Sequence, residues 1–206
     1  MTTEPRTLEV AGGVLGRDSW TPGTPYRLVL ERFVLTPLTE PTVDQTYLDW
    51  MRDPDVIRFL DSRYKPQSLE SIRAFVRSFD NVDRFIWRVI AKDGNRPVGN
   101  CTLFLDRVNG LAEPGVVIGE KAFWGRNVTF EAYCGLYDFA FGTIGVEKIF
   151  SKTRSTNLAA VWNLRKLGMR QEGFFPNHVR FDERRVALIW YGLDRAEWRA
   201  RPPVAP

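Results

Sequence analysis

At 206 residues, 44% hydrophobic and 26% charged, the chain has a globular composition and length for one domain with a substantial core. Its net charge of +4 is mild and scattered, which argues against nucleic acid as a partner, and no apolar run approaches the ~20 residues of a membrane span. No basic-then-apolar leader is visible, and Cys101 and Cys134 sit in apolar contexts, so free thiols in a reducing, cytoplasmic setting are expected. One histidine and two separated cysteines do not make a metal site.

Residues 1–25 are rich in Gly, Pro and Thr without a sustained period and read as an extension outside the core, with room for a short strand or a segment that packs on a partner. A strand is expected over 27–35, from Leu28, Leu30, Phe33 and Leu35. Pro41 then opens a helix whose apolar face carries Val43, Tyr47, Leu48 and Met51, and Asp53-Pro54 stops it. Ser68 is the expected N-cap of a second helix bearing Leu69, Ile72, Phe75, Val76 and Phe79. A hairpin follows, 85–91 with 97–105, turning at Asp93-Gly94; Asn109-Gly110 turns the chain again toward a strand at 115–119. After a helix over about 127–143, a strand is expected at 148–153. Asn157 starts a helix that Gly168 closes. Strands at 169–174 and 186–193 finish the fold, separated by a polar loop, and the chain ends in a charged tail. The sum is a mixed α/β (α+β) sheet of about seven strands with about four helices on its two faces, in one domain over 26–198.

The stretch 112–142 organises the rest. Its short apolar run at Val116, Val117 and Ile118 reads as a buried strand; Gly119 to Gly125 form a turn; helical spacing begins after Asn127. Strand, glycine turn and helix start together present backbone N–H groups and the positive helix end to an anion. Trp124, Gly125, Arg126, Asn127 and Val128 are the expected donors.

At this stretch the chain resembles the GNAT superfamily of acyl-CoA N-acyltransferases. The resemblance rests on Ala112-Glu113, then Ile118-Gly119-Glu120-Lys121, then Phe123-Trp124-Gly125-Arg126. Ser155-Thr156-Asn157, Lys166-Leu167-Gly168-Met169 and Glu172-Gly173 extend it. The Tyr47-Leu48-Asp49-Trp50 helix, Asp53-Pro54-Asp55-Val56, Tyr191-Gly192-Leu193 and Glu197-Trp198 look like the ribosomal-protein-acetyltransferase-like branch and its amino-sugar relatives. The resemblance implies a mostly antiparallel sheet and acetyl-CoA as co-substrate. It also implies a primary amine of a small molecule as acceptor, an amino sugar or its nucleotide-linked form first, attacked directly in a ternary complex. A protein N-terminus or an aminoglycoside is the alternative acceptor; a binding module without activity is the alternative class.

The resemblance also suggests roles. Glu113 is the first candidate for general base, Glu120 the second and Asp106 the third. A strand N–H near Val117 or Ile118 would meet the oxyanion, and Asn157 and Asn163 would contact the cofactor. His178 lies where amino-sugar relatives carry a histidine. Arg58, Arg63, Lys65, Arg184 and Arg185 flank the expected acceptor groove, and a homodimer through the last strands is allowed. Two positions depart from the family. Asn127 stands where a second glycine or alanine is usual, and Leu164 where a tyrosine acid is usual, which leaves water, Tyr133 or Tyr137 to protonate the thiolate.

Overall fold

The computed structural model describes residues 6–9, as backbone, and residues 20–200. In chain order the elements are β1 (Arg6–Glu9), β2 (Tyr26–Val29), β3 (Phe33–Pro37), α1 (Gln45–Arg52) and α2 (Leu69–Arg77). Then come β4 (Arg84–Ala91), β5 (Arg96–Asp106), β6 (Leu111–Ile118), α3 (Val128–Asp138) and β7 (Lys148–Arg154). The last are α4 (Leu158–Lys166), β8 (Arg170–Phe181), β9 (Arg184–Asp194) and α5 (Arg195–Arg199). They build a nine-stranded sheet in the order β1-β2-β3-β4-β5-β6-β7-β9-β8. Only the β1–β2 and β6–β7 pairs are parallel. No described helix is long and apolar enough to cross a membrane.

The differences from expectation are local. The expected strand 27–35 is two strands, because the chain reverses at Glu31-Arg32 and β2 pairs with β3. The short strand allowed for in the N-terminal extension is β1, which lies parallel to β2 at the sheet edge; residues 10–19 are outside the described part. Pro41 belongs to a short 3-10 turn, Glu40–Thr42, and α1 starts later, with the Asp44 carboxylate accepting from the Tyr47 N–H at 3.0 Å. The expected polar loop before the last strand is strand as well: β8 runs to Phe181, with register shifts absorbing the Pro176 segment. Within the expected tail, Asp194 and Glu197 form a capping box that starts α5.

Ser68 caps α2 as expected, accepting from the Ser71 N–H at 3.1 Å. At the end of α4, Met169 N–H reaches Leu164 O and Gly168 N–H reaches Arg165 O, a Schellman stop with Gly168 at φ +79°.

Alternation along β4 divides the core. Phe85, Trp87 and Val89 face α3 and its continuation, where Phe85 and Trp87 stack at 5.6 Å and Phe139 meets both edge-on. The indole N–H of Trp87, buried here, donates to Tyr26 O at 2.6 Å and so is not left stranded. Ile86 faces the other way, onto Tyr47, Leu48, Trp50 and Met51 of α1 and Ile72 and Val76 of α2. Neither α1 nor α2 has a contact of note with β7, β8 or β9, so that half of the sheet keeps a bare face.

After α3 the chain makes one π turn, Phe139–Ile144, and stops at Gly145. Trp198 of α5 donates to Asp138 Oδ1 at 2.8 Å. Burial of the Asp138 carboxyl holds its pKa above the usual range, its main cause being lost hydration. A carboxylate whose folded pKa is raised weakens the fold above that pKa and stops doing so as pH falls below it. Asp138→Asn keeps an acceptor for the indole, so it is expected to raise the melting temperature near pH 7. The advantage should disappear toward about pH 4. Thermal melts of both proteins across that range test this.

Candidate active site

β6 and β7 touch only at their starts, Leu111 with Lys148 and Ala112 with Ile149. Beyond that point β6 follows β5 to Ile118 while β7 follows β9 to Arg154, so the two strands part into a wedge. Pro114 sits where the wedge opens and has no N–H to offer. Antiparallel pairing alternates, and the Gly119 N–H bond to Val98 O at 3.0 Å fixes its phase. Val117 therefore turns its N–H to β5, whereas Val116 and Ile118 turn theirs into the wedge. Of the two strand N–H groups expected near the oxyanion, the register leaves that of Ile118 open, together with that of Val116. The carbonyl of Ile118 is taken by the Trp124 indole at 2.9 Å.

The turn after β6 is built from several fixed contacts. Glu120 accepts from the Ala122 N–H at 3.3 Å and so caps a 3-10 turn, Lys121–Phe123. The N–H groups of Trp124 and Arg126 are consumed by the carbonyls of Lys121 and Phe123. Gly125 takes φ +75° and Asn127 φ +57°, both left-handed. Asn127 precedes α3, but its side chain makes no capping bond. The N–H groups of Gly125, Asn127, Val128, Thr129 and Phe130 thus meet no acceptor among the described residues. A diphosphate fits this donor set, with the helix end adding positive potential. Arg126 lies over the Phe123 ring at 5.6 Å, beside the turn.

Asparagine can hold left-handed φ, and a β-branched residue does so poorly. Asn127→Gly is therefore expected to keep acetyl-CoA affinity. Asn127→Val should lose roughly tenfold, from about 1–2 kcal/mol of backbone strain. Calorimetric titration of both variants reads the difference.

The turn is also clamped to α1. Gly119 lies under Trp50 so closely that a methyl group there would stand 2.0 Å from the indole. Lys121 bridges Asp53 at 2.8 Å and Asp55 at 2.7 Å, just past the end of α1.

Glu113 lies near the closed end of the wedge, on the sheet face opposite α3, with Oε1 3.1 Å from Lys152 Nζ. Lys152 in turn sits 6.0 Å over the Trp190 ring. Phe150 stacks on Trp190 at 5.6 Å, Phe175 meets it edge-on, and His178 lies 5.3 Å from Phe175. This line of rings covers the bare face of β7, β9 and β8. His178 is exposed on a bulge of β8, a strand and not a loop, where its carbonyl accepts from Arg185 at 3.0 Å.

Across from the rings, the α1–α2 connection meets the tip of the β8–β9 hairpin. Arg63 pairs with Asp182 at 2.6 Å, the Asp182 N–H donates to Tyr64 Oη at 3.1 Å, and Phe59 stacks on Phe181 at 5.5 Å. Arg154 holds the Phe59 carbonyl at 2.6 Å and pairs with Asp61. Arg63 and Arg185 are thereby engaged in holding these segments.

Two buried polar groups between α1 and the sheet were not singled out from the sequence. Arg88 lies between the Tyr47 and Trp50 rings at 5.4 and 5.3 Å and pairs with Asp44 at 3.1 Å. Asn100, cross-strand from Val117, is 5% exposed, with its side-chain amide beside the Tyr47 hydroxyl. Burial pushes the neighbouring Tyr47 hydroxyl up to about 12. Lys152 and Trp190 were also missed; strict alternation in β7, with Phe150, Lys152 and Arg154 on one face, was the signal for the first.

Of the two tyrosines on α3, Tyr137 is buried with its hydroxyl 3.1 Å from Met169 Sδ. Tyr133 is half-buried, and burial raises its phenol above the ordinary value, so it stays a proton donor at neutral pH. Leu164 is core. Asn157 caps α4 through the Ala160 N–H at 3.2 Å, and Asn163 donates to Ala159 O at 2.9 Å. Lys166 lies 4.2 Å over the Phe130 ring, at the start of α3, and 5.0 Å over Trp162. Among the described residues no group of three His, Cys, Asp or Glu side chains could hold a metal.

Residues 32–170 match the family described as the acetyltransferase (GNAT) domain. This chain belongs to the GNAT acetyltransferase family. A curated relative, the uncharacterized N-acetyltransferase p20 of Bacillus licheniformis, is 25% identical over 111 residues, 53% of this chain. The aligned part spans 62% of that relative's length. Among solved structures, a GNAT-family acetyltransferase from Bacillus anthracis superposes with a TM-score of 0.72 at 19% identity, over 83% of this chain and 99% of that one. Spermidine N-acetyltransferase from Vibrio cholerae, in complex with CoA and spermine, gives 0.72 at 12% identity, over 82% and 98%. At these identities the likeness is one of fold. The GNAT family uses acetyl-CoA.

Proposed function

We propose that the chain transfers the acetyl group of acetyl-CoA to a primary amine of a small molecule. The observation that carries this is the β6–β7 wedge, with open N–H groups along Val116 and Ile118 and at the turn before α3, and Glu113 at its closed end. Acetyl-CoA supplies an acetyl thioester. The chain's part is to hold the diphosphate on the N–H groups of Gly125, Asn127 and Val128. Val116 N–H, the open donor nearer Glu113, then meets the charge that develops on the acetyl oxygen. An amine of pKa ~10 is neutral about one part in 10³ at pH 7, so Glu113 would take its proton. Tyr133 is the better placed of the two tyrosines to return a proton to the thiolate. Asn157 and Asn163 support α4, and Trp162 with Lys166 offers a surface for the far end of the donor. Glu120, already a cap, and the exposed His178 are assigned supporting positions only.

For the acceptor we favour an amino sugar. Phe150, Trp190 and Phe175 give an aromatic wall suited to the C–H face of a ring, with a few polar groups beside it. Glu113, Asp61, Asp182 and Glu172 are each paired with a cation, which leaves little surplus charge for a polyamine. Thiol release from acetyl-CoA against an amino sugar, its nucleotide-linked form, spermidine, an aminoglycoside and a peptide N-terminus tests this. Amino sugars should give the highest kcat/KM. Faster turnover of spermidine or a peptide would reject the acceptor assignment. Binding of acetyl-CoA without thiol release to any amine would favour a binding module.

A further inference from the structure

We propose that Lys152 is a self-acetylation site, its Nζ standing in the acceptor position beside Glu113. This rests on the acetyl-CoA reading above. Lys152 lies on β7, one bank of the wedge, on the same sheet face as Glu113. Its ammonium is 3.1 Å from the carboxylate chosen as base and over the Trp190 ring, between the two groups that an incoming cationic amine would meet. The side chain is 47% exposed, and its one ion-pair partner is the carboxylate chosen as base. The other described lysines differ. Lys121 is held by two aspartates, Lys148 by Glu172, and Lys166 lies over Phe130 and Trp162. Lys65 and Lys92 are exposed, far from Glu113 in the chain, and make no ion pair with an acid.

The step balances without a further reactant. Glu113 takes one proton from the Lys152 ammonium and passes it to water. The free Nζ attacks the acetyl carbonyl, forming the N–C bond, and the C–S bond breaks. The nitrogen's second proton leaves to neutralise the thiolate, giving acetyl-lysine and CoA thiol. With a small amine present, that amine displaces Lys152 and turnover replaces modification.

The test is peptide mass mapping of the full chain incubated with acetyl-CoA and no amine, sampled over time. The peptide containing residue 152 should gain one acetyl group at least tenfold faster than those containing Lys65 and Lys92. Glu113→Gln, checked for an unchanged melting temperature, should slow Lys152 about 10²-fold and leave the other two alone. A small amine that supports turnover should suppress the modification. Equal rates at all three lysines, or no effect of Glu113→Gln on Lys152, would overturn the proposal. Thiol release with external amines and calorimetry on the same samples separate the two claims. Amine turnover without Lys152 acetylation removes only this inference, whereas no acetyl-CoA binding removes both.

Discussion

Glu113→Gln is expected to lower kcat for amine acetylation by about 10²-fold, the lower end of what a positioned base contributes. The change removes the proton acceptor but keeps the size of the side chain and a hydrogen-bond acceptor for Lys152, which lies 3.1 Å away in the native protein. Acetyl-CoA affinity should be unchanged, because the proposed diphosphate contacts lie at the turn before α3 and not at Glu113. The pH–rate profile is the sharper readout. Without the carboxylate, activity should simply follow the free-amine fraction of the acceptor, rising tenfold per pH unit up to the amine's own pKa. A variant profile superimposable on the native one would remove Glu113 from the role and turn attention to a water path.

Gly119→Ala should damage both stability and donor binding. The added methyl would stand 2.0 Å from Trp50 Cδ2 and 2.1 Å from Cγ, a distance no packed carbon pair sustains. Trp50 cannot yield easily: it is buried in the α1 core and has Arg88 against its ring. The turn must then move, and with it the N–H groups before α3. Overpacking of this kind costs about 1–3 kcal/mol, so a lowered melting temperature and a roughly tenfold or larger loss of acetyl-CoA affinity are expected together. Adding Trp50→Phe to the alanine variant should recover part of the affinity. Recovery would place the damage at the clamp and not in a general loss of fold.

The sheet and helices were legible where local signals agreed. Asp93-Gly94 and Asn109-Gly110 set two hairpins, Ser68 and Asn157 set two helix starts, and Gly168 set a stop. Two of the misses were decided by contacts distant in sequence. Glu31-Arg32 carries no glycine or proline, yet Arg32 turns there with its backbone N–H and guanidinium both held by Glu131, 99 residues later. Pro176 and Asn177 read as loop, and only the pairing of β9 on either side draws them into β8 as a bulge.

The site divides in the same way. The donor turn is contiguous, so its residues could be named together, although not which N–H groups stay open. That depends on the 3-10 turn consuming those of Trp124 and Arg126. The acceptor side is assembled from β4, β5, β6, β7, β8 and β9. Arg88, Asn100, Lys152 and Trp190 carry no motif of their own, and their proximity to Glu113 or α1 exists only once the strands are in register.

The measurement that tests the donor site most directly is a crystal structure of the chain grown with CoA. The diphosphate is expected on the N–H groups of Gly125, Asn127 and Val128, and the pantetheine arm between β6 and β7 with its sulfur near Glu113. CoA bound elsewhere, or a wedge closed by renewed β6–β7 pairing, would contradict it.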